Sequence, residues 1–400
     1  MAVPAERRTR LAHTISSLAA LLVGAASVVS CTAAPTQGVA SGGGGTSEHG
    51  LTPTADAGAG AGAGASNAPD SARATRHRFV STAMGCRVEI TVDDDDADRA
   101  RDAARAAQLE LDRLDAMLSD WKRSSELSAL NASRTPRHPA SAELREVLQR
   151  ALEIARATDG RFDPTVAPMV AMWRELRKDG QLPAPAALAV AKRRVGHTKI
   201  HLEGSEVVRD RTDIALDFGG IGKGYGAIKA LEALRAAGCP RALVAVAGDI
   251  AAGDAPRGEA GWTVTIASEA GPHAGADDAA TAGAEGASKL ASGTTDAGAS
   301  TGTRDERLVL ARQAVSTSGG SMQWVEIGGV RYAHIVDPRT GLGATKLAQV
   351  TVVGPLDCAV DALGTAFALC ERDDEIRAVL AKFNGYRARV ERDGAAVWIP

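Results

Sequence analysis

The most informative stretch of the sequence lies late in the chain and reads His334-Ile335-Val336-Asp337-Pro338-Arg339-Thr340-Gly341. A second unusual run precedes it in sequence, Asp217-Phe218-Gly219-Gly220-Ile221-Gly222-Lys223-Gly224-Tyr225. Each run brings charged, glycine and hydroxyl residues together within one short segment. Packing of an apolar core does not need this mixture, whereas the binding of a phosphorylated ligand does.

The first 30 residues have the pattern of a signal peptide, because arginines near the start precede an uncharged stretch from 11 to 30. This stretch ends in Val28-Val29-Ser30-Cys31, which resembles a bacterial lipobox and implies cleavage before Cys31 and acylation of its thiol. The alternative is ordinary secretory cleavage near Ala33-Ala34. A permanent membrane span is disfavoured because it needs about 20 strongly apolar residues. Twin-arginine export is disfavoured because the residues around Arg7-Arg8 fit it poorly.

Two low-complexity segments set the domain organisation. Residues 31–75 are rich in Ala, Gly, Ser, Thr and Pro and cannot bury enough apolar surface to fold, which predicts a flexible tether after the lipid anchor. Residues 270–303 have a similar composition and are expected to form a disordered insertion between two strands. A domain boundary there would leave little chain for a second core. The sequence therefore predicts one large domain over 76–400.

Net charge argues against nucleic acid as a partner, and cysteine spacing argues against a structural zinc site. Loss of Arg7, Arg8, Arg10 and Glu6 with the signal peptide changes the formal net charge from −3 to −5, which argues against nucleic acid as a partner. The cysteines other than Cys31 show no CxxC spacing, so a structural zinc site is not expected.

Strand and helix patterns are mixed without strict βαβ alternation, which favours an α+β fold over a doubly wound one. Apolar residues at helical spacing predict a helix over 97–118, and Ser141 opens another that ends before Asp159-Gly160. Further helices are expected at 166–178, 184–194, 222–237, 357–370 and 373–383. Strands are expected at 78–92 (a pair), 207–216, 242–247, 262–267, 308–315 and 349–353, with a closing hairpin over 386–399.

The glycine-rich run at 219–224 follows a predicted strand and opens a predicted helix. Glycines at that position let backbone N–H groups approach an anion at the helix N-terminus, and Lys223 adds a positive charge. The pattern matches neither a Walker A loop nor a dinucleotide fingerprint. The alternative is a glycine-rich turn with a lysine on the surface.

A carboxylate and a hydroxyl, Asp361 and Thr365, lie four residues apart and therefore share one helix face. Hard oxygen donors in this arrangement suit Mg²⁺, which takes few protein ligands and completes its shell with water and phosphate. The alternative is a hydrogen bond between Asp361 and Thr365 along the side of the helix.

The run at 334–341 is expected to be a strand that ends in a tight turn, because Pro338 and Gly341 are turn formers. His334 could move a proton, and Arg339 could bind a phosphate or carboxylate. The alternative is an Asp337–Arg339 pair that braces the turn.

Two further segments allow both a structural and a ligand-binding interpretation. In Gly160-Arg161-Phe162-Asp163-Pro164-Thr165, Asp163 either caps a helix whose first residue is Pro164 or contacts a ligand together with Phe162. Trp121 is either a core aromatic residue or a stacking surface, and aromatic residues make up only 3% of the chain, which favours a specific use.

Several separate blocks, taken in order, resemble the ApbE family of FAD:protein FMN transferases. They are Met84-Gly85, Ser119-Asp120-Trp121 followed by Ser125-Glu126-Leu127-Ser128 and Asn131, Gly160 to Thr165, Asp217 to Tyr225, Gly248-Asp249-Ile250, Ser316-Thr317-Ser318-Gly319, His334 to Gly341, and Asp361 with Thr365. The resemblance covers about residues 78–400, and a lipobox-like start is also usual in that family.

The resemblance implies an α+β domain of the ApbE type and an enzyme that moves FMN from FAD to a Thr or Ser hydroxyl of a target protein, with Mg²⁺, releasing AMP. It also implies an acceptor that is a membrane redox subunit, reached from the extracytoplasmic face of the membrane. Residues that match flavin-nucleotide contacts are Met84, Trp121, Arg161, Phe162, Asp163, Asp217, Lys223 and Ile335. Residues that match metal ligands are Asp361, Thr365 and, through its carbonyl, Gly220.

The remaining roles concern catalysis. His334 and Arg339 belong to the signature turn beside the diphosphate, and His334 and Asp337 are the candidates for the general base. Two other activities stay open: hydrolysis of FAD to FMN and AMP, and flavin binding without catalysis by a lipoprotein. The chain departs from the family pattern at Ala247, where glycine is common, at Cys86, where threonine is common, and in the insertion at 270–303.

Overall fold

The computed structural model of the protein describes residues 52–53, 75–266, 306–319 and 324–400. The predicted signal peptide, Cys31, nearly all of the tether and the insertion at 270–303 lie outside these residues. In the part of the chain that is described, no helix is both long and apolar enough to cross a membrane.

The strands are numbered here in chain order. They are β1 (Thr52–Pro53), β2 (Arg76–Ala83), β3 (Cys86–Asp93), β4 (Arg137–Pro139), β5 (Ile200–Glu203), β6 (Glu206–Arg209), β7 (Ala242–Val246), β8 (Asp249–Ala252), β9 (Trp262–Ile266), β10 (Glu306–Leu310), β11 (Gln313–Ser318), β12 (Trp324–Ile327), β13 (Val330–Ala333), β14 (Val336–Asp337), β15 (Leu342–Gly343), β16 (Gln349–Pro355), β17 (Arg387–Arg392) and β18 (Ala395–Ile399).

The helices are α1 (Ala97–Leu118), α2 (Glu126–Ala132), α3 (Ala142–Ala157), α4 (Ala167–Asp179), α5 (Pro185–Arg193), α6 (Gly222–Ala236), α7 (Ala359–Ala368) and α8 (Asp373–Leu380). The α+β class is therefore confirmed. The two helices that open most clearly in the sequence begin at side-chain caps. Asp96 accepts from the amides of Asp98 and Arg99 at 3.0 Å before α1, and Ser141 accepts from Leu144 at 3.1 Å before α3.

One large sheet organises the fold, with strand order β1-β2-β3-β7-β8-β11-β16-β17-β18 and antiparallel pairing throughout. Helices α1 and α6 pack against β2, β3, β7 and β8 around one apolar core. Helices α3, α7 and α8 share a second core with β16 and β17. Because α6 belongs to the first group and α7 to the second, their contact joins the two halves.

Smaller sheets complete the domain. Strands β9 and β10 pair with Ile266 opposite Glu306 and pack through Trp262, Val264 and Leu310 on Ile250 of the large sheet. The segment between these two strands contains the predicted insertion, which therefore connects neighbouring strands. Strands β4, β6 and β5 form a three-stranded sheet, and β12–β13 and β14–β15 form two hairpins.

Three sequence predictions need correction. The strand expected over 207–216 ends at Arg209, whose buried guanidinium binds the carbonyl of Ile214 and thereby holds the following segment as a loop. The segment 308–315 is not continuous, because β10 and β11 belong to different sheets. Asp163 does not cap a helix, since α4 begins only after Val166.

Candidate functional site

The glycine-rich run forms a tight loop that leads directly into α6. Asp217 donates its amide to the carbonyl of Pro164 at 2.8 Å, and its carboxylate accepts from the amide of Gly219 at 2.7 Å. A methyl group on Gly220 would lie 3.1 Å from Thr365 Oγ1 and 3.3 Å from Phe162 Cε2, so the backbone there approaches α7 closely. The loop thus brings Gly220 and Thr365 together.

Asn131 holds the chain immediately before this loop. Its side-chain amide donates to the carbonyl of Leu216 at 2.8 Å, and its side-chain oxygen accepts from the amide of Leu216 at 2.8 Å. The pair of bonds mimics one rung of a β-ladder and fixes the residue that precedes Asp217. Asn131 was part of the sequence resemblance, but no role could be assigned to it without this contact.

Lys223 lies in the first turn of α6 and points at two buried carboxylates. Its Nζ is 3.0 Å from Asp249 Oδ2, 3.4 Å from Asp361 Oδ2 and 3.3 Å from the carbonyl of Gly219. Burial disfavours its charge, but the two carboxylates outweigh burial and raise the pKa of Lys223 above its ordinary value. Lys223, Asp249 and Asp361 are called the Lys223 cluster below. The alternative of a surface lysine is therefore wrong.

Asp361 is a buried acid in the first turn of α7. The described donors to its carboxylate are Lys223 and the amide of Gly224, the latter at 3.1 Å, rather than Thr365 as the sequence alternative proposed. Burial raises the pKa of Asp361 to about 7, with a contribution from Asp249 and an opposing one from Lys223. The carboxylate is therefore held in a position where another cation would stabilise its ionised form.

Asp249 is the residue of the cluster to which sequence reasoning assigned no role. It is the first residue of β8 and is 3% exposed. Its Oδ1 is buried and has no hydrogen-bond partner among the described residues. The signal in the sequence was its place in the block Gly248-Asp249-Ile250, but only the fold brings that block to α6 and α7.

The residues present fit a hard divalent cation. The described part of the chain contains no group of three or more His, Cys, Asp and Glu residues that could hold a metal. Mg²⁺ does not require such a group, because it commonly takes one or two carboxylates plus water and phosphate oxygens. Asp361, Thr365 and the carbonyl of Gly220 are oxygen donors, and the unpartnered Oδ1 of Asp249 adds an unsatisfied acceptor nearby.

Trp121 and Arg174 form an exposed rim next to the loop. The indole of Trp121 is 72% exposed, and the guanidinium of Arg174 lies 4.2 Å from its ring centroid. Arg174 also bonds Asp120 Oδ2 at 2.6 Å and lies 3.7 Å from Asp217 Oδ2. Burial, with a further contribution from Asp120, raises the pKa of Asp217. Trp121 is therefore an exposed surface residue and not a core aromatic residue.

Met84 and Cys86 approach the same region from the β2–β3 turn. Methyl groups on Gly222 and Gly226 would lie 3.9 Å from Met84 Cε and 2.8 Å from Met84 Sδ, so Met84 packs along the start of α6. Burial raises the pKa of the Cys86 thiol, and the Lys223 cluster is near enough to contribute to it electrostatically. Cys86 therefore lines the site as a neutral thiol.

The segment 160–165 contributes Phe162 and otherwise braces its own turn. The carboxylate of Asp163 accepts from Thr165 Oγ1 at 2.6 Å and from the amide of His197 at 2.9 Å. Arg161 pairs with Glu375 of α8. Asp163 and Arg161 are thus engaged with protein groups, and their predicted ligand contacts stay predictions.

The signature turn packs at the other end of α7. Asp337 accepts from Arg339 Nε at 3.0 Å and Nη2 at 2.8 Å, which is the bracing pair foreseen as an alternative. Arg339 also donates to the carbonyl of Leu369, eight residues after Asp361 and therefore about 12 Å further along the helix. His334 is exposed and Ile335 is half-buried. The catalytic roles predicted for this turn stay predictions.

Apart from His334 and Ile335 of the signature turn, the predicted residues that the structure describes separate into two groups. The loop and the two helices bring together Met84, Phe162, Asp217, Gly220, Lys223, Asp361 and Thr365, and Trp121 joins them through Arg174. In contrast, Arg161, Asp163, Asp337 and Arg339 bind protein partners around this group.

Fold and site together define an α+β domain in which a glycine-rich helix start, a lysine and buried carboxylates suit a phosphorylated ligand and a hard cation. The model of the ApbE family matches residues 84–390, and the chain belongs to this family. The resemblance identified in the sequence is thereby confirmed.

Similar proteins agree with this assignment. The FAD:protein FMN transferase of Salmonella typhimurium is 27% identical over 313 residues, which are 74% of this chain and 80% of that protein. The FAD:protein FMN transferase of Treponema pallidum is 30% identical over 274 residues, 64% of this chain and 68% of that protein.

Solved structures share the fold. The ApbE protein of Thermotoga maritima has a TM-score of 0.66 at 22% identity and covers 81% of this chain and 96% of its own. The flavin transferase ApbE of Vibrio cholerae has a TM-score of 0.65 at 21% identity, covering 82% of this chain and 97% of its own.

Proposed function

We propose that this chain is an FAD:protein FMN transferase that moves FMN from FAD to a Thr or Ser hydroxyl of a target protein in a Mg²⁺-dependent reaction. The observation that carries the proposal is the meeting of Lys223, Asp361 and Thr365 with the Gly220 loop at the contact of α6 and α7. The relatives named FAD:protein FMN transferase support the same activity.

The reaction balances as a phosphoryl-group exchange. The acceptor oxygen forms a bond to the phosphorus on the FMN side of the diphosphate, and the bond from that phosphorus to the bridging oxygen breaks. AMP leaves with the bridging oxygen, and the hydroxyl proton passes to a base. Bound Mg²⁺ would neutralise charge on the diphosphate. Gly220, Asp361 and Thr365 are the residues that would hold it.

The chain's own groups would then bind and orient the diphosphate. Lys223, whose three N–H donors are engaged by protein oxygens, would act on the diphosphate through its charge rather than by hydrogen bonds. Together with the positive end of the α6 dipole, this charge favours a transition state with more charge on oxygen. The rim of Trp121 and Arg174 offers an exposed aromatic face, and the half-buried Met84 and Ile335 offer apolar surface for the flavin nucleotide.

Of the two candidates for the general base, we favour His334. The Asp337 carboxylate already accepts bonds from Arg339 Nε and Nη2, which occupy the oxygens that would take a proton. His334 lies on the surface, where an acceptor protein can reach it. An imidazole also titrates near neutral pH, as a base for this step requires.

The surroundings of the enzyme are part of the proposal. The lipobox-like sequence before Cys31 supports a lipid anchor, and the composition of residues 31–75 supports a tether to a domain outside the cytoplasmic membrane. A membrane redox subunit with a Ser- or Thr-containing motif fits as acceptor, because anchor and tether would restrict the enzyme to that surface.

The test is to incubate the protein with FAD and Mg²⁺, with and without an acceptor protein, and to measure AMP and protein-bound flavin. AMP formed only with the acceptor, together with flavin on the acceptor, is the expected result. Equal AMP in both samples would indicate that the chain hydrolyses FAD and does not transfer FMN. Absence of AMP in both samples, with flavin retained by the protein, would indicate that the chain binds flavin without catalysis. A chelator should stop the reaction.

A further inference from the structure

Lys223 uses all of its hydrogen-bonding capacity on the two carboxylates of the Lys223 cluster and on the carbonyl of Gly219. An ammonium group has three donors. The three acceptors within 3.4 Å are Asp249 Oδ2, the carbonyl of Gly219 and Asp361 Oδ2. The ammonium is therefore shared between two carboxylates, one of which is also the acid expected to bind a cation.

The two carboxylates are held in different ways. Asp361 has a second donor, the amide of Gly224 at 3.1 Å, so its position does not depend on Lys223. For Asp249, Lys223 is the partner that the described residues provide, and its Oδ1 has none. Asp249 also lies at the start of β8, between β7 and β11, and forms the shorter contact with Nζ. Asp249 is thus the carboxylate that lies closer to the ammonium and depends on it for a partner.

We propose that Asp249 is a positioning residue that holds the Lys223 ammonium away from Asp361, so that the Asp361 carboxylate is available to a divalent cation. This inference rests on the proposed function, because it needs a cation site at Asp361. It adds a role for Asp249 that needs no direct contact with the cation or the flavin.

The physical reason is competition for one carboxylate. An ammonium and a metal ion both need the oxygens of Asp361, and a lysine side chain is long and flexible enough to follow the stronger attraction. With the charge of Asp249 in place, the attraction from both sides balances. Without it, the ammonium would move onto Asp361 and form a pair that the cation must displace.

The experiment measures the affinity for Mn²⁺ alone, by electron paramagnetic resonance of the free ion, on the whole chain without FAD. Asp249→Asn keeps the size of the side chain and removes its charge. We expect its Mn²⁺ affinity to fall about 10- to 100-fold, as is usual when a partner of a metal-binding residue is changed. Asp361→Asn removes the expected cation ligand and so gives the background of Mn²⁺ bound elsewhere on the chain. Circular dichroism verifies that each variant is folded.

The matched control is Asp94→Asn. Asp94 is also a buried carboxylate, 4% exposed, and it pairs with Arg99 Nε at 3.0 Å. It lies beside Cys239, just beyond the C-terminal end of α6, whereas Lys223 lies at the N-terminal end. Its Mn²⁺ affinity should equal that of the unaltered chain.

A second pair of variants separates positioning from a direct effect of charge. In a Lys223→Met background there is no ammonium to hold, so adding Asp249→Asn should change Mn²⁺ affinity by less than about twofold. An equal loss in both backgrounds would show that Asp249 acts on the ion by itself and would overturn the proposal.

If Asp249→Asn does not fold, the single variant Lys223→Met tests the same competition. It removes the competitor and should leave Mn²⁺ affinity unchanged or increase it, and weaker binding would contradict the proposal. If the unaltered chain binds no Mn²⁺ at the site lost in Asp361→Asn, the cation site of the proposed function fails. If it binds but Asp249→Asn does not differ, only this inference fails.

Discussion

Replacing Gly224 by alanine would put a methyl group between α6 and α7 at the centre of the site. The new Cβ would lie 2.9 Å from Asp361 Cβ and 3.3 Å from the carbonyl oxygen of Cys358. Contacts this short with a helix cannot be relieved by a rotamer change, so α7 must move. Overpacking of this kind costs about 1–3 kcal/mol. The shift would also lengthen the bond from the Gly224 amide to the Asp361 carboxylate, a charged hydrogen bond worth about 1.5–3 kcal/mol.

One effect acts in the opposite direction, since alanine favours a helix over glycine by about 1 kcal/mol. We therefore expect Gly224→Ala to lower the free energy of unfolding by about 1–3 kcal/mol and to weaken Mn²⁺ binding, because Asp361 moves with α7. Urea denaturation followed by circular dichroism measures the first quantity, and electron paramagnetic resonance of free Mn²⁺ measures the second.

Gly222→Ala is the matched control in the same helical turn. Its Cβ would meet Met84 Cε and Phe218 Cβ at 3.9 Å, which are ordinary contacts. Its stability should be unchanged or higher by up to about 1 kcal/mol. If Gly224→Ala proves as stable as Gly222→Ala and binds Mn²⁺ like the unaltered chain, the close approach of α6 and α7 does not determine the position of Asp361.

Three other changes test separate parts of the description. Asp361→Ala should abolish metal-dependent AMP formation while circular dichroism remains that of the unaltered chain, and full activity would remove the metal assignment. Deletion of residues 270–303 should leave AMP formation nearly unchanged, because β9 and β10 pair directly at Ile266 and Glu306 and the remaining connection has a usual hairpin length. A collapse in solubility or turnover would show that this segment is structural. Ala247→Gly should raise the free energy of unfolding by about 1 kcal/mol, because Ala247 has a φ of 52° in the β7–β8 turn, where glycine carries no steric cost. Thermal unfolding would measure it, and a lower melting temperature would contradict the strain argument.

Long periodic elements were predictable from the sequence. Helix α1 has the bounds expected from its apolar spacing, and the β2–β3 and β17–β18 hairpins lie where the turn residues placed them. Strand β14 and the turn after it were expected, but helix α2, the hairpin β12–β13 and strand β15 were missed because segments of two to seven residues are too short to show a period. The segment after Arg209 was expected to be extended, but it is a loop in which the buried Arg209 guanidinium binds the carbonyl of Ile214.

The candidate site was predictable in part. The spacing of Asp361 and Thr365 fixes them on one helix face, and the position of Lys223 after the glycines fixes it at a helix N-terminus. In contrast, the pairing of Asp337 with Arg339 was only an alternative, since the same residues suit a ligand or a turn. The contact of Asn131 with Leu216 spans 85 positions and leaves no local pattern in the sequence.

The class of fold, the family and the residue types suited to a diphosphate could be read from the sequence, because they follow from local periodicity and from blocks of unusual composition. Which of those residues meet is known only from the folded chain. Lys223 reaches Asp249 and Asp361 because α6 packs between a sheet strand and α7, and burial then makes each of the three depend on the charges of the others. Coulomb energy depends on distance and on exposure to water, and neither quantity can be obtained from the order of residues along the chain.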